Sequence, residues 1–248
     1  MTQIEKTKVY LVGAGPGDTD HLTLKAVMVL KHADVVLYDA LVNEECFSFC
    51  KEDVIKVPVG KRKDHHSKKQ EEINHLIIMY AKAGKRVVRL KGGTPFVFGR
   101  GYEEVRAISK AGFEPIIVSG VSSTTSVPEQ FMIPLIDRQF NDSYRTITGH
   151  NIEVFSDIVT SYHPRENLVI MMGIHNLKKI VEYLISKDFP LDTPLAILSK
   201  GTTPNESKIV SSLEEIKNQD ENFFIDVKIL TPAIIFIGET VNATNSFN

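Results

Sequence analysis

Short apolar runs alternate with segments of helical periodicity through the first half of the chain. These runs are rich in valine, isoleucine and leucine, which is typical of strands buried on both faces. The predicted strands cover Lys8–Val12, Asp34–Tyr38, Asp53–Val57, Arg86–Leu90 and Pro115–Val118. The predicted helices cover Thr23–Lys31, Gln70–Ala83 and Glu103–Ala111. This alternation predicts a mostly parallel sheet covered on both faces, with a ligand at the carboxyl ends of its strands.

A change of texture after Gly120 predicts a domain boundary, because a hydroxyl-rich stretch over 122–126 is followed by Pro128 and a less regular segment. Beyond it, strands are predicted over Tyr144–Thr148, Leu168–Met172, Leu195–Ser199 and Ala233–Gly238, and helices over Leu177–Lys187 and Ser212–Gln219. We therefore expect an α/β protein of two αβ domains, 1–121 and 122–248, with mostly parallel or mixed sheets.

Composition narrows the classes of function. The 248 residues are 42% hydrophobic, enough for a substantial core, and the formal net charge of -2 argues against a general nucleic-acid binder. The amino terminus has no apolar leader, and no apolar run approaches the roughly 20 residues of a membrane span, so we expect a cytoplasmic protein with no membrane partner. Cys46 and Cys50 have no further cysteine or nearby histidine pair, so they predict free thiols in a reducing compartment and no metal site.

A turn with several glycines follows the strand that ends near Leu90. Gly92 and Gly93 lack a Cβ atom, so the main chain there can approach a ligand closely or adopt a positive φ, and Pro95 fixes the direction of the exit. The stretch predicts a binding wall made of main chain. The alternative is a tight connection from strand to helix with no ligand.

A second glycine loop, Gly13-Ala14-Gly15-Pro16-Gly17-Asp18, lies between the first strand and the first helix. The Gly-x-Gly-x-x-Gly motif of dinucleotide-binding proteins requires a third glycine where this chain has Asp18, and a carboxylate there would repel a pyrophosphate. Asp39 closes the second strand as a ribose-binding acid would. That single match does not outweigh the spacing, which disfavours a nicotinamide cofactor.

Several separated motifs resemble the tetrapyrrole methylases, which use S-adenosylmethionine. The first is the loop from Val12 to Asp18 followed by Leu22-Thr23-Leu24-Lys25-Ala26. The others are Val59-Gly60-Lys61-Arg62 with His66, Gln70-Glu71-Glu72-Ile73-Asn74, and the segment from Arg89 to Gly101 with Glu103-Glu104. Within the family these motifs look like those of the branch that methylates uroporphyrinogen III at C2 and C7, giving precorrin-2 for sirohaem or cobalamin synthesis.

The resemblance implies a fold in which the cofactor lies in a cleft between the two domains, and it implies a homodimer. By motif position it also implies a set of cofactor-binding residues: Pro16, Gly92, Gly93, Thr94, Val97, Ser122, Ser123, Met172 and Gly201. For Val97 and Met172 alone, packing in a core is the alternative. The product of the cofactor would be S-adenosylhomocysteine.

By position in the family motifs, Asp39 is a candidate general base and Lys61 a candidate acid or carboxylate anchor. Arg89 would orient substrate carboxylates or stabilise charge on the ring, and an arginine near the end of an apolar strand requires a partner from protein or ligand. Asp39 could equally be a cap at the end of its strand. The polycarboxylate substrate requires local positive charge, for which arginine is well suited.

Three positions depart from the family pattern. Thr94 stands where the family normally has an aspartate that binds or orients the cofactor, Met171 replaces a tyrosine, and Asp137 replaces a histidine. Two alternatives therefore stay open beside methylation of uroporphyrinogen III: a methylase of a later corrin precursor, and a paralogue that binds tetrapyrrole or cofactor with reduced or lost turnover.

Overall fold

The computed structural model describes residues 8–60, 69–219 and 229–247. Its backbone divides into two compact units, Met1–Ser123 and Thr124–Asn248. Within these residues each unit has its own sheet of five strands.

The sheet of the first unit is parallel throughout. Its strands are β1 (Lys8–Gly13), β2 (Val35–Tyr38), β3 (Ile55–Pro58), β4 (Val87–Lys91) and β5 (Glu114–Val118), in the order β3-β2-β4-β1-β5. Val9 on the inner strand β1 lies opposite Val87 on one side and Pro115 on the other. All five carboxyl ends therefore lie along one edge, which we call the carboxyl edge.

Helices cover both faces of this sheet. They are α1 (Leu24–Leu30), α2 (Gln70–Lys82) and α3 (Gly101–Lys110). Because side chains alternate along a strand, Val36 and Val88 pack with α1, whereas Val35, Leu37 and Val87 pack in a cluster with α2 and α3. Odd-numbered positions of β2 and β4 thus face α2 and α3, which fixes the direction of the charged residues described below.

The second unit has a mixed sheet. Its strands are β6 (Ser143–Thr148), β7 (Glu166–Met171), β8 (Pro194–Ser199), β9 (Ser207–Ser212) and β10 (Ala233–Ile237), in the order β6-β7-β10-β8-β9. β6 and β7 are parallel, and the other three pairs are antiparallel. Its helices are α4 (Ser123–Gln130), α5 (Ile152–Ile158), α6 (Leu177–Ile185) and α7 (Leu213–Asn218). The α/β prediction, with one parallel and one mixed sheet, is confirmed.

Among the described α-helices and β-strands of the second unit, three were not predicted: α4, α5 and β9. The hydroxyl-rich segment forms α4, whose buried face consists of Thr124, Ser126, Val127 and Pro128. Because most of these residues are small and polar, the segment shows no hydrophobic periodicity, so the sequence pattern does not predict this helix. β9 is a largely exposed edge strand held by its ladder to β8, and its polar sequence reads as a loop.

Candidate active site

Glycine turns from three strands meet at the carboxyl edge of the first sheet. Gly15, after β1, and Gly93, after β4, form an antiparallel bridge. The Gly93 N–H donates to the Gly15 carbonyl at 2.7 Å, and the Gly15 N–H donates to the Gly93 carbonyl at 3.2 Å. This pair of bonds joins the two glycine loops that the sequence singled out.

Close approach of main chain explains two of the glycines. A Cβ at Gly13 would lie 2.5 Å from the Gly93 carbonyl oxygen, and one at Gly120 would lie 2.2 Å from the same atom. Such distances exclude any side chain, so these glycines serve the packing of the turns on one another. Gly93 itself differs: its φ is +65°, and a Cβ there would meet no heavy atom within 4 Å. At Gly93 the main chain faces open space.

The segment after the Gly92-Gly93 turn is tightly wound. Gly101 N–H donates to the Pro95 carbonyl at 3.1 Å, and a Cβ at Gly101 would lie 2.4 Å from that oxygen. Phe98 and Arg100 both have positive φ, at 50° and 55°, which costs free energy for residues that carry a side chain. The turn starts α3 at Gly101 and thereby sets the position of Glu104, one turn into the helix.

Beneath this turn lies a cluster of four charged side chains, Asp39, Arg89, Lys91 and Glu104, which we call the charge cluster. Arg89 and Lys91 occupy alternate positions of β4 and face α3, and Asp39 continues the same alternation beyond β2. The Glu104 side chain is fully buried, and those of Arg89 and Lys91 are 2% and 3% exposed. Asp39 is 30% exposed and is the member that solvent or a ligand can reach.

Every nitrogen of the Arg89 guanidinium donates to an acceptor of the protein. Nε donates to Glu104 Oε1 at 2.9 Å, Nη1 to the Leu90 carbonyl at 3.0 Å, and Nη2 to Asp39 Oδ1. The expected partner of Arg89 is therefore found within the protein. Because its donors are engaged and its side chain is buried, Arg89 holds Asp39 in place.

Lys91 links the same two carboxylates. Its Nζ lies 3.2 Å from Glu104 Oε1, 3.1 Å from Glu104 Oε2 and 3.8 Å from Asp39 Oδ2. Gln70, at the start of α2, adds a neutral donor to Glu104 Oε1 at 3.3 Å. Two cations and two carboxylates thus balance in a part of the unit from which water is largely excluded.

Burial and the neighbouring carboxylates act in opposite directions on the pKa values of Arg89 and Lys91. Burial disfavours a charged Arg89, but Asp39 and Glu104 outweigh it and raise the pKa of the guanidinium above its usual range. Burial, together with repulsion from Arg89, lowers the pKa of Lys91 even though Glu104 and Asp39 attract it. Lys91 is therefore the cation whose charge depends most on its carboxylate partners.

The structure brings most of the predicted residues to two sheet edges. In the first unit, Pro16, Gly92, Gly93, Thr94 and Val97 follow β1 or β4, Asp39 follows β2, and Ser122 and Ser123 follow β5. In the second unit, Met172 follows β7 and Gly201 follows β8. β7 and β8 both run antiparallel to β10, so Met172 and Gly201 lie at the same edge of that sheet. Lys61 lies outside the described residues.

In exposure or in backbone conformation, Val97, Met172 and the residues beside Gly201 differ from core residues. Val97 is 40% exposed and Met172 47% exposed, so packing in a core, the alternative for both, is not what the structure shows. Met172 has φ +58°, and Gly201 is flanked by Lys200 and Thr202 at +45° and +67°. Strained backbone at strand ends is common at binding sites.

Sequence reasoning missed Lys91 and Glu104 as site residues. Glu104 and Ile108 are four residues apart and share the buried face of α3. A glutamate in register with the apolar stripe of a helix needs a buried partner, and that spacing could have identified it.

Glycine turns and a buried charge cluster at the carboxyl ends of a parallel sheet are the arrangement of an α/β enzyme that binds a small molecule. The sequence matches the family model for Tetrapyrrole (Corrin/Porphyrin) Methylases over residues 8–217. The chain belongs to this tetrapyrrole methylase family.

Curated relatives and a solved structure refine the comparison. A uroporphyrinogen-III C-methyltransferase of Methanocaldococcus jannaschii is 41% identical over 96% of this chain and 98% of its own length. A siroheme synthase of Acinetobacter baylyi is 42% identical over 96% of this chain, which spans only 51% of that longer protein. A uroporphyrin-III C-methyl transferase of Thermus thermophilus, crystallised with S-adenyl homocysteine, superposes with a TM-score of 0.77 at 33% identity, over 95% of this chain and 94% of that one.

Proposed function

We propose that this protein transfers methyl groups from S-adenosylmethionine to C2 and C7 of uroporphyrinogen III, giving precorrin-2 and S-adenosylhomocysteine. The observation that carries the proposal is the partly exposed carboxylate of Asp39, held by the buried Arg89 at a strand end beside the glycine turns. Similarity to the methyltransferase of M. jannaschii along nearly the full length of both chains supports the choice of substrate.

The residues at the strand ends fit the proposed cofactor. Gly93 leaves its main chain facing open space, and the Val97 and Met172 side chains expose apolar surface of the kind that packs against a nucleoside. Pro16, Gly92, Thr94, Ser122, Ser123 and Gly201 complete the proposed contacts. When bound, the cofactor supplies an electrophilic methyl group on a sulfonium.

The protein's own part in such a transfer is to align the reactants, exclude water and accept a proton. The alkylated pyrrole ring must shed a proton, and Asp39 is the proposed acceptor because its Oδ2 is not engaged by Arg89. Arg89 keeps the carboxylate oriented. The role proposed for Lys61, an acid or carboxylate anchor, falls on a residue outside the described ranges.

Recognition of the substrate's carboxylates falls to cations more exposed than Arg89. Arg100 stands at the entrance to α3 with 58% of its side chain exposed. Its Nε and Nη2 donate to the two carboxylate oxygens of Glu103 at 2.9 and 2.8 Å, so a substrate carboxylate would bind this guanidinium in place of Glu103. We propose Arg100 as one such contact.

A comparison of methyl acceptors tests the proposed function. The purified protein is incubated anaerobically with S-adenosylmethionine and either uroporphyrinogen III or a later corrin precursor, and the product masses are recorded. We expect a gain of two methyl groups on uroporphyrinogen III alone. Methylation of only the later precursor would replace the proposal with the corrin alternative, and cofactor binding with no product would favour the paralogue without turnover, which Thr94, Met171 and Asp137 motivate.

Assembly and location complete the proposal. We infer a cytoplasmic homodimer that takes a tetrapyrrole as its small-molecule partner. Among the described residues, no helix is long and apolar enough to cross a membrane. Light scattering coupled to size exclusion measures the assembly directly: a mass of twice 27.8 kDa is expected, and a monomer mass would contradict it.

A further inference from the structure

The charge cluster contains more charge than is needed to hold one carboxylate. Asp39 faces two cations, Arg89 through its Nη2 and Lys91 at 3.8 Å. Two cations near a single carboxylate would make that carboxylate a poor proton acceptor. Such an arrangement conflicts with the role of general base unless another charge offsets one of the cations.

Glu104 is that charge. It is fully buried, it accepts from Arg89 Nε at 2.9 Å, and it lies within 3.2 Å of Lys91 Nζ. Its position in α3 is fixed by the wound turn from Pro95 to Gly101. A buried carboxylate is costly to maintain, so its presence here requires the two cations that it contacts.

We propose that Glu104 is a positioning residue that sets the basicity of Asp39, by sharing Arg89 and Lys91 with it across the charge cluster. This inference rests on the proposed function, because it assigns Asp39 the role of proton acceptor. The charged groups that face Asp39 in the described part of the chain are Arg89 and Lys91 from β4, with Glu104 from α3 behind them. Gln70 from α2 is neutral and reaches only Glu104 within the charge cluster.

The proposal predicts opposite effects for two substitutions of similar size. Lys91→Met removes a cation next to Asp39, so the carboxylate holds its proton more tightly and the acid limb of the pH profile of kcat/KM moves to higher pH. Glu104→Gln leaves both cations acting on Asp39, so the same limb moves to lower pH. Each shift is expected to be about one pH unit, the lower end of the effect of a nearby charge.

The double variant Lys91→Met/Glu104→Gln gives the decisive comparison. It removes one charge of each sign, and its acid limb is expected to return close to that of the unchanged protein. A purely structural role for either residue predicts lower activity at every pH and greater loss in the double variant. Glu71→Gln, the same change at an exposed carboxylate on α2, is the matched control and should leave the profile in place.

A second readout separates this proposal from the proposed function. The 13C carboxyl resonance of Asp39 is assigned by its loss in Asp39→Asn and followed against pH in the absence of substrate. Its titration midpoint should move in the same opposite directions in the two single variants, even if uroporphyrinogen III proves not to be the acceptor. Shifts in the same direction, or no shift in either variant, would overturn the proposal whatever the substrate, and the double variant decides the matter if one single variant does not fold.

Discussion

Gly15 and Gly93 exchange two backbone hydrogen bonds between the ends of β1 and β4, at 2.7 and 3.2 Å. The bridge fixes the Gly93 carbonyl oxygen at the point where Gly13 and Gly120 approach it most closely. The loops that the sequence marked as binding elements are thus joined to each other by main-chain hydrogen bonds. Bonds within the protein that hold binding loops in place lower the cost of ordering them on binding.

Crowding at that oxygen makes Gly120 sensitive to substitution. In Gly120→Ala the new Cβ would lie 2.2 Å from the Gly93 oxygen and 2.7 Å from the Gly13 Cα, both in main chain that cannot move aside without breaking the bridge. We expect a loss of stability of about 3 kcal/mol, the upper range for overpacking, together with weaker binding of S-adenosylhomocysteine. Urea unfolding and calorimetry measure the two effects.

Gly112→Ala is the matched control. Gly112 has φ +88° but open space around the position of a Cβ, so alanine there costs only the backbone strain, about 1 kcal/mol. Equal losses of stability in the two variants would show that the glycine turns do not pack as described.

Replacing Asp39 with asparagine removes the proposed proton acceptor while keeping its shape. We expect turnover to fall by roughly 10²- to 10⁴-fold, the usual contribution of a general base, with the affinity for S-adenosylhomocysteine little changed. Steady-state kinetics and calorimetry separate the two quantities. Asp53→Asn, at an exposed carboxylate before β3, is the control, and undiminished turnover in Asp39→Asn would leave Asp39 as only a cap on its strand.

Thr94→Asp places a carboxylate at the position where the family pattern has one. If threonine only weakens binding, aspartate should tighten the binding of S-adenosylmethionine by more than tenfold, since a hydrogen bond to a charged group contributes about 1.5 to 3 kcal/mol. Thr94→Asn has nearly the same shape without the charge and should show no such gain. Unchanged or weaker binding in Thr94→Asp would mean that the surrounding loop has adapted to threonine.

The hydrogen bonds of Asp34 predict that its carboxylate contributes to the free energy of unfolding in a pH-dependent way. The Arg86 N–H donates to its carboxylate at 2.8 Å and Lys51 Nζ at 2.9 Å, and these bonds lower its pKa below the ordinary value of 3.8. A lowered pKa in the folded state contributes stability above pH 3.8 that is lost as the pH falls through the folded value. Because the side chain is 35% exposed, the contribution is below about 1 kcal/mol.

The Asp34→Asn variant tests this sign. Urea midpoints should lie below those of the unchanged protein near pH 7, and the gap should close as the pH falls below about 3.8. A gap that is constant or that widens in acid would show that the carboxylate's charge is not the cause.

The sequence predicted the first unit better than the second for a physical reason. Parallel strands such as Val87–Lys91 are buried on both faces, and their apolar runs are visible without knowing their neighbours. α4 and β9 depend on tertiary contacts instead: α4 buries threonine and serine, and β9 is an exposed edge held by backbone bonds to β8. No local pattern marks such elements.

The residues of the candidate site were also predicted only in part. Asp39 and the glycine turns follow strand ends, Arg89 lies within β4, and all of them were found from position and family resemblance. Glu104 was missed because its partners lie 13 and 15 residues earlier in the chain, on β4, and only the fold brings them together. The division of the chain into domains 1–121 and 122–248 remains a proposal, and so does the part that each domain takes in the site.

Transfer of a labelled methyl group tests the proposed methylation of uroporphyrinogen III and the role of Asp39 together. The protein is incubated anaerobically with uroporphyrinogen III and S-adenosylmethionine labelled with 13C in its methyl group, and the product is analysed by 13C NMR, with Asp39→Asn in parallel. We predict two labelled methyl groups, at C2 and C7, from the unchanged protein and strongly reduced labelling with the variant. Bound cofactor with no label in the tetrapyrrole, while a known methyltransferase labels it under the same conditions, would contradict the proposed function.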